Sequence, residues 1–163
     1  MAGQIVNQAQ TATPGTPVTV LHVNTTSQAT TGTSEEVLAT YTLPAGTLSA
    51  NGKAIRVTAS CKHAANSNNA SCSLRFGGIG GTVIASRAST SSGGQYMLSA
   101  TLYRTGAATQ ESIGVASVEN SMQVTVATPT QTLSGAVDIV VTGTTATAAG
   151  DITFRSLLVE ALN

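Results

Sequence analysis

The feature that most constrains this chain is a two-residue alternation of apolar and polar side chains that recurs along most of its length. It is cleanest over residues 55–62, where Ile55, Val57, Ala59 and Cys61 alternate with Arg56, Thr58, Ser60 and Lys62. Successive side chains of a strand point to opposite faces, so this pattern fits a sheet with one buried and one wetted face. The same alternation places Val37, Ala39, Tyr41 and Leu43 on one face. It sets Cys72, Leu74 and Phe76 inward against Ser73 and Arg75, and Tyr96, Leu98, Ala100 and Leu102 against Met97, Thr101 and Tyr103. Shorter examples are Thr82–Ser86, Glu111–Ser117, the set Met122, Val124 and Val126, and the set Val137, Ile139 and Val141. The chain closes with Ile152, Phe154 and Leu157-Leu158-Val159, where a helix over Ser156–Leu162 is the alternative.

Turn signals separate these runs. They include Pro44-Ala45-Gly46, Asn51-Gly52, the polar stretch Ala65–Asn69, Gly77-Gly78-Ile79-Gly80-Gly81, Ser89–Gly94, Pro129 and the Thr/Ala-rich segment Gly143–Gly150. Eight or nine strands between Glu35 and Asn163 at intervals of ~8–12 residues predict an all-β fold, an antiparallel β-sandwich, jelly-roll-like, spanning residues 35–163.

Composition narrows the function classes. Thr (27) and Ser (17) dominate the 163 residues, charged residues make up only 9%, and Lys plus Arg (7) balance Asp plus Glu (7). A nucleic-acid binder needs an excess of cations, so nucleic acid is not an expected partner. No run of roughly 18 apolar residues offers a membrane helix, and no membrane partner is expected. Aromatics are 3% with no Trp, so the core is thin and made of Val, Ile, Leu and Ala. Sheet edges on a nearly uncharged surface invite pairing with other chains. Association into a symmetric oligomer is the expected remedy.

Residues 1–34 differ from the rest. Apart from Ile5, Val6 and the stretch containing Val18, Val20, Leu21 and Val23, they are mostly Gln, Thr, Ala, Gly and Ser, with Pro14 and Pro17. Such a segment buries too little to offset its ordering entropy alone, so it is expected to be an extended N-terminal arm that carries one strand and needs another surface to be ordered. The first residues carry neither a basic nor an apolar signal region, so synthesis in a cytoplasm is expected.

Reactive groups are few and scattered. Cys61 and Cys72 share inward parity on consecutive strands and are expected to face each other across a hairpin, as buried thiols or as a disulfide formed after release from the cell. His63 shares their parity, but a Cys/His metal site lacks a fourth ligand. The Gly-rich segment 77–81 has no following Lys-Ser/Thr and reads as a bend, not a phosphate loop. No Gly-x-Ser-x-Gly elbow occurs, and His22 and His63 have no acid nearby in sequence. The carboxylates Glu35, Glu36, Glu111, Glu119, Asp138, Asp151 and Glu160 are dispersed. No catalytic residues, no cofactor and no metal are expected, and the chain is read as non-enzymatic.

The stretch Tyr41–Ser60, with Leu43-Pro44-Ala45-Gly46, Asn51-Gly52 and Ile55-Arg56-Val57, resembles a module of bacteriophage and prophage virion proteins. The resemblance continues through Ala65-Asn66, Asn69, Leu74-Arg75-Phe76-Gly77-Gly78, Gln95–Gly106, Val141-Thr142-Gly143, Asp151-Ile152-Thr153 and Glu160–Asn163, and so spans roughly residues 38–163. The Cys pair and the doubled glycines of Gly77-Gly78-Ile79-Gly80-Gly81 depart from its pattern. The resemblance implies a structural virion protein, made in the host cytoplasm and carried on the particle. Its most specific form is a capsid-decoration (cement or head-fibre) protein, a homotrimer docked on the major capsid protein or another virion protein through residues 1–34. The alternative it implies is a tail-fibre or receptor-binding module for a bacterial surface glycan. Sugar sites commonly use aromatic platforms, and only Tyr41, Tyr96, Tyr103, Phe76 and Phe154 are available.

Overall fold

The computed structural model of the chain describes residues 18–90, 92–145 and 147–162. These form eleven strands: β1 (Thr19–Asn24), β2 (Gln28–Ala29), β3 (Glu36–Leu43), β4 (Ala54–His63), β5 (Ala70–Phe76), β6 (Thr82–Ser89), β7 (Gln95–Gly106), β8 (Thr109–Val118), β9 (Ser121–Ala127), β10 (Val137–Thr145) and β11 (Ile152–Ala161). Every pairing among them is antiparallel. One sheet runs β1-β11-β4-β7-β8-β9 with β2 added beside β11, and the other runs β3-β10-β5-β6. The architecture is an all-β, antiparallel sandwich.

Alternation positions the core as the residues dictate. Ile55, Val57, Ala59 and Cys61 of β4, Leu98 and Leu102 of β7, and Leu157 and Val159 of β11 point inward. They meet Leu74 and Phe76 of β5, Ile84 of β6, and Ile139 and Val141 of β10. Their partners at intervening positions, such as Arg56, Lys62 and Met97, face water.

Two expectations need correction. Residues 19–34 are not an arm separate from the sandwich. β1 pairs with β11 over Thr19 to Asn24, β2 extends the same edge, and the buried Thr30 donates its N–H to Ile152 O at 2.9 Å. The surface this segment needs is supplied by its own chain.

The face assigned to residues 37–43 changes part-way. Val141 pairs with Ala39 but Thr142 with Val37, leaving Leu38 as the extra residue of a bulge. Leu38 and Ala39 are therefore both buried while Val37 turns outward.

The Asn51-Gly52 turn is present as expected, with Gly52 at φ +86°, and it carries the chain from β3 in one sheet to β4 in the other. The closing segment is a strand as expected, β11 running through Ala161, and the helix alternative over Ser156–Leu162 does not occur.

Candidate functional site

Cys61 and Cys72 lie on β4 and β5, which belong to different sheets, so they face each other across the core and not across a hairpin. Both are fully buried and joined as a disulfide, with Cα atoms 6.8 Å apart. His63, also fully buried, is occupied elsewhere. Its Nδ1 is 2.9 Å from Ala64 O and its Nε2 3.0 Å from Asn68 O, so neither ring nitrogen has a lone pair turned toward the sulfurs. Among the described residues no group of three His, Cys, Asp or Glu side chains is arranged to hold a metal ion.

The carboxylates mostly serve the scaffold. Asp151, buried at the start of β11, accepts hydrogen bonds from Asn66 Nδ2 (2.6 Å) and Asn68 Nδ2 (2.9 Å), tying the β4–β5 loop to that strand. The Asn66 bond first, then that of Asn68 and the nearby His63, outweigh burial and hold the Asp151 pKa below the ordinary 3.8. Glu35 takes a two-pronged bond from Arg75 (2.7 and 2.9 Å) and a third from Thr142 Oγ1 (2.6 Å) on the outer face of the smaller sheet. Burial alone would raise its pKa, but these bonds and the Arg75 charge lower it. Glu36 accepts the Thr31 N–H and hydroxyl and the Gly32 N–H, and its pKa is also lowered, first by the Thr31 backbone bond. Glu160 pairs with Arg56 at 2.8 Å across the β4–β11 ladder.

The six apolar residues singled out for an assembly arm separate into three groups. Ile5 and Val6 lie outside the described residues. Leu21 packs against the chain's own core, because a bulge between Val20 and His22 turns both Leu21 and His22 inward. His22 stacks on Tyr41 of the other sheet, ring centroids 4.7 Å apart, and closes the sandwich at that edge. Val18, Val20 and Val23 remain exposed.

A larger apolar surface lies at the opposite end of the same sheet. Pairing aligns Ile113 of β8 with Val126 of β9, Val115 with Val124, and Ser117 with Met122, and on the β7 side Ser117 meets Met97. All of these point away from the core. Met97 (62% exposed), Ile113 (56%), Met122 (68%), Val124 (57%) and Val126 (75%) form one continuous stripe on the outer face. Beyond it, β9 ends the sheet, with no strand on its far side among the described residues. Its sequence, Ser-Met-Gln-Val-Thr-Val-Ala, contains no Pro and no charge.

The stripe faces outward because the inward set of β8 is Ser112, Gly114, Ala116 and Val118. A side chain on Gly114 would overlap the Ile84 carbonyl oxygen, so β6 presses its backbone directly onto β8. Only the smaller set fits beneath it.

Two of the hollows among the described residues are larger than about 300 Å³. One of about 310 Å³ is lined mainly by Gly46, Arg104, Ala107, Ala108 and Leu133. The other, about 380 Å³ and more polar, lies between Arg87, Thr90, Glu119, Asn120 and Ser121. Glu119 adopts φ +51°, and Arg87 donates to Ser121 Oγ. Of the aromatic residues that could offer a sugar platform, Tyr96, Phe76 and Phe154 are buried and Tyr41 is covered by His22, which leaves Tyr103 exposed.

No family model and no curated protein matches the sequence. Several solved structures resemble the fold at low similarity. The sugar-binding C-terminal domain of EclA aligns with a TM-score of 0.44 and 12% identity, over 83% of this chain and 78% of that one. A Bacillus endospore appendage protein of disulfide-linked pili gives 0.38 and 10%, over 96% and 100%. The CBM2 module of the evolved Dit of Lactobacillus casei BL23 phage J-1 gives 0.35 and 12%, over 76% and 69%. What they share with this chain is a β-rich build.

Proposed function

We propose that this chain is a non-enzymatic structural protein of a bacteriophage particle, most specifically a capsid-decoration protein that self-associates, as a homotrimer, and docks on the shell. The observation that carries the reading is β9: a seven-residue edge strand without charge or proline, exposed over most of its length. Monomeric sandwiches ordinarily protect such an edge with Lys, Pro or a covering loop. A protein made to assemble leaves it open. The Ser/Thr-rich, nearly neutral exterior suits a coat component that is displayed in many copies, where avidity replaces strong single contacts.

The docking role falls to residues 1–17, which include Ile5 and Val6 and precede the exposed Val18. An extended segment can add a strand to another protein's sheet edge through main-chain hydrogen bonds. Removing residues 1–17 leaves every described strand intact, so the experiment is particle binding by the full chain and by the chain starting at Val18. Loss of binding with unchanged circular dichroism supports the docking role, and retained binding rejects it.

A second reading, a tail-fibre or receptor-binding module for a bacterial glycan, is favoured by the polar hollow at Arg87, Glu119 and Asn120. Adsorption of the isolated protein to bacterial cells, abolished by Arg87→Ala, would support it. Binding to particles with no adsorption to cells would exclude it.

A further inference from the structure

We infer that the outer face of β7–β8–β9 is the contact between copies of this chain, each copy's Ile113–Val126 and Val115–Val124 rows packing on the same rows of its neighbours. The inference rests on the proposed assembly role and names the surface that performs it.

Three observations single out a second copy as the occupant. The first is area. The five large apolar side chains of the stripe are each more than half exposed and, with Val115 and Tyr103 at its margin, form a face on the scale of the several hundred Å² a side that a specific contact uses. Second, the face is electrically blank. Across the outward positions of β7 and β8 from Met97 to Tyr103 and Glu111 to Ser117, and of β9 from Met122 to Val126, Glu111 is the one charged residue, and it sits at the margin. A face without charge can meet itself without like-charge repulsion, whereas a different protein would gain no electrostatic register from it.

The third observation is the contrast with the other end of the sheet. There Val20 and Val23 are exposed too, but the neighbouring outward positions carry Arg56 and Glu160 as an ion pair. That end is wetted by charge, and the β9 end is not. The inward side of β8 supplies the rigidity a docking face needs, because the contact of Gly114 with Ile84 fixes β8 against β6. Met97 and Met122 at the rim add side chains able to adapt to a facing surface.

The test uses the full chain. Sedimentation velocity compares wild type with Val124→Glu, which puts a charge in the middle of the stripe, and with Val23→Glu at the far edge, while circular dichroism and melting verify folding. The expected result is a multimer for wild type and Val23→Glu, with association of Val124→Glu weakened on the order of 100-fold. A wild-type reading that needs no variant comes from peroxide oxidation followed by peptide mass spectrometry. Met97 and Met122 should oxidise slowly in the multimer and at least ~10-fold faster on dilution to single chains. A multimer that Val124→Glu leaves unchanged, or in which Met97 and Met122 oxidise as fast as in single chains, overturns this surface while leaving an assembly role standing. A wild-type chain that stays single at high micromolar concentration overturns both.

Discussion

Replacing Gly114 by Ala probes the contact that holds the β8–β9 ledge in place. The added Cβ would overlap the Ile84 carbonyl oxygen and lie 2.9 Å from its carbonyl carbon and 3.0 Å from the Ala85 Cβ. The obstructing atoms are mainly backbone, so no rotamer change relieves them and β6 must retreat as a strand. Overpacking of this kind costs about 3 kcal/mol, at the upper end of the usual range, because the neighbour cannot give way. The loss of Gly freedom in the unfolded chain returns roughly 0.5–1 kcal/mol. The net is about 2 kcal/mol, and with a urea slope near ~2 kcal/mol/M the unfolding midpoint should fall by about 1 M. Gly143→Ala is the control. Its Cβ would meet Leu38 Cδ1 at 2.8 Å, Thr30 Cγ2 at 2.9 Å and Ile152 Cγ2 at 3.1 Å, side-chain atoms and no backbone. It should lose about 1 kcal/mol, the lower end of the overpacking range. Equal midpoints for the two variants, or a Gly114→Ala midpoint within ~0.2 M of wild type, would refute the argument that backbone-to-backbone closure at β6–β8 sets which side chains face out.

Acid, alkali and reductant give further readouts. The Cys61–Cys72 bridge closes a loop with a sequence separation of 11, so reduction should remove about 3 kcal/mol of stability, read as a lower urea midpoint in reductant, and an unchanged midpoint would argue against the bond. Asp151, Glu35 and Glu36 have folded pKa values below their ordinary 3.8 and 4.5. Their stabilisation is complete above those ordinary values and is lost as pH falls through the lowered ones, so the acid limb should lie below about pH 4, and Asp151→Asn should make it shallower. Burial raises the Tyr96 phenol to about 12, its hydroxyl donating to Ala70 O at 2.9 Å. Stability should therefore be flat up to pH 10 from this group and fall between about pH 10 and pH 12, a decline that Tyr96→Phe removes.

How much of this was readable from residues alone depends on local regularity. β4, β5 and β7 alternate without interruption, and Ile55 through Cys61, Cys72 through Phe76, and Tyr96 through Leu102 face the core as their spacing demands. The β3 assignment slipped at Leu38 because a bulge shifts the two-residue period by one, and a bulge has no reliable residue signature. The placement of Cys61 opposite Cys72 needed the knowledge that β4 and β5 lie in different sheets. Adjacency in sequence suggested a hairpin, whereas the loop 64–69 is anchored by Asp151 and passes between layers.

The apolar stripe was hidden for a different reason. Hydrophobicity alone would send Ile113 and Val115 inward and Ser112, Gly114 and Ala116 outward, yet the close approach of β6 requires the small set inside. The signal that was present is Gly114 itself, a glycine inside a strand, which marks close approach of another backbone. Residues 19–34 read as an arm because their composition is poor in apolar groups, and the surface that orders them is β11 at the far end of the chain, which their own sequence does not reveal.

The most direct measurement is the mass of the unmodified full chain in solution, by sedimentation equilibrium across the micromolar range. An assembly protein whose β7–β9 face packs on its own copies should sediment at a whole multiple of the 16.3 kDa chain mass in the upper part of that range. A uniform 16.3 kDa species at every concentration would contradict the account, since the stripe of Met97, Ile113, Met122, Val124 and Val126 would then face water with nothing to cover it.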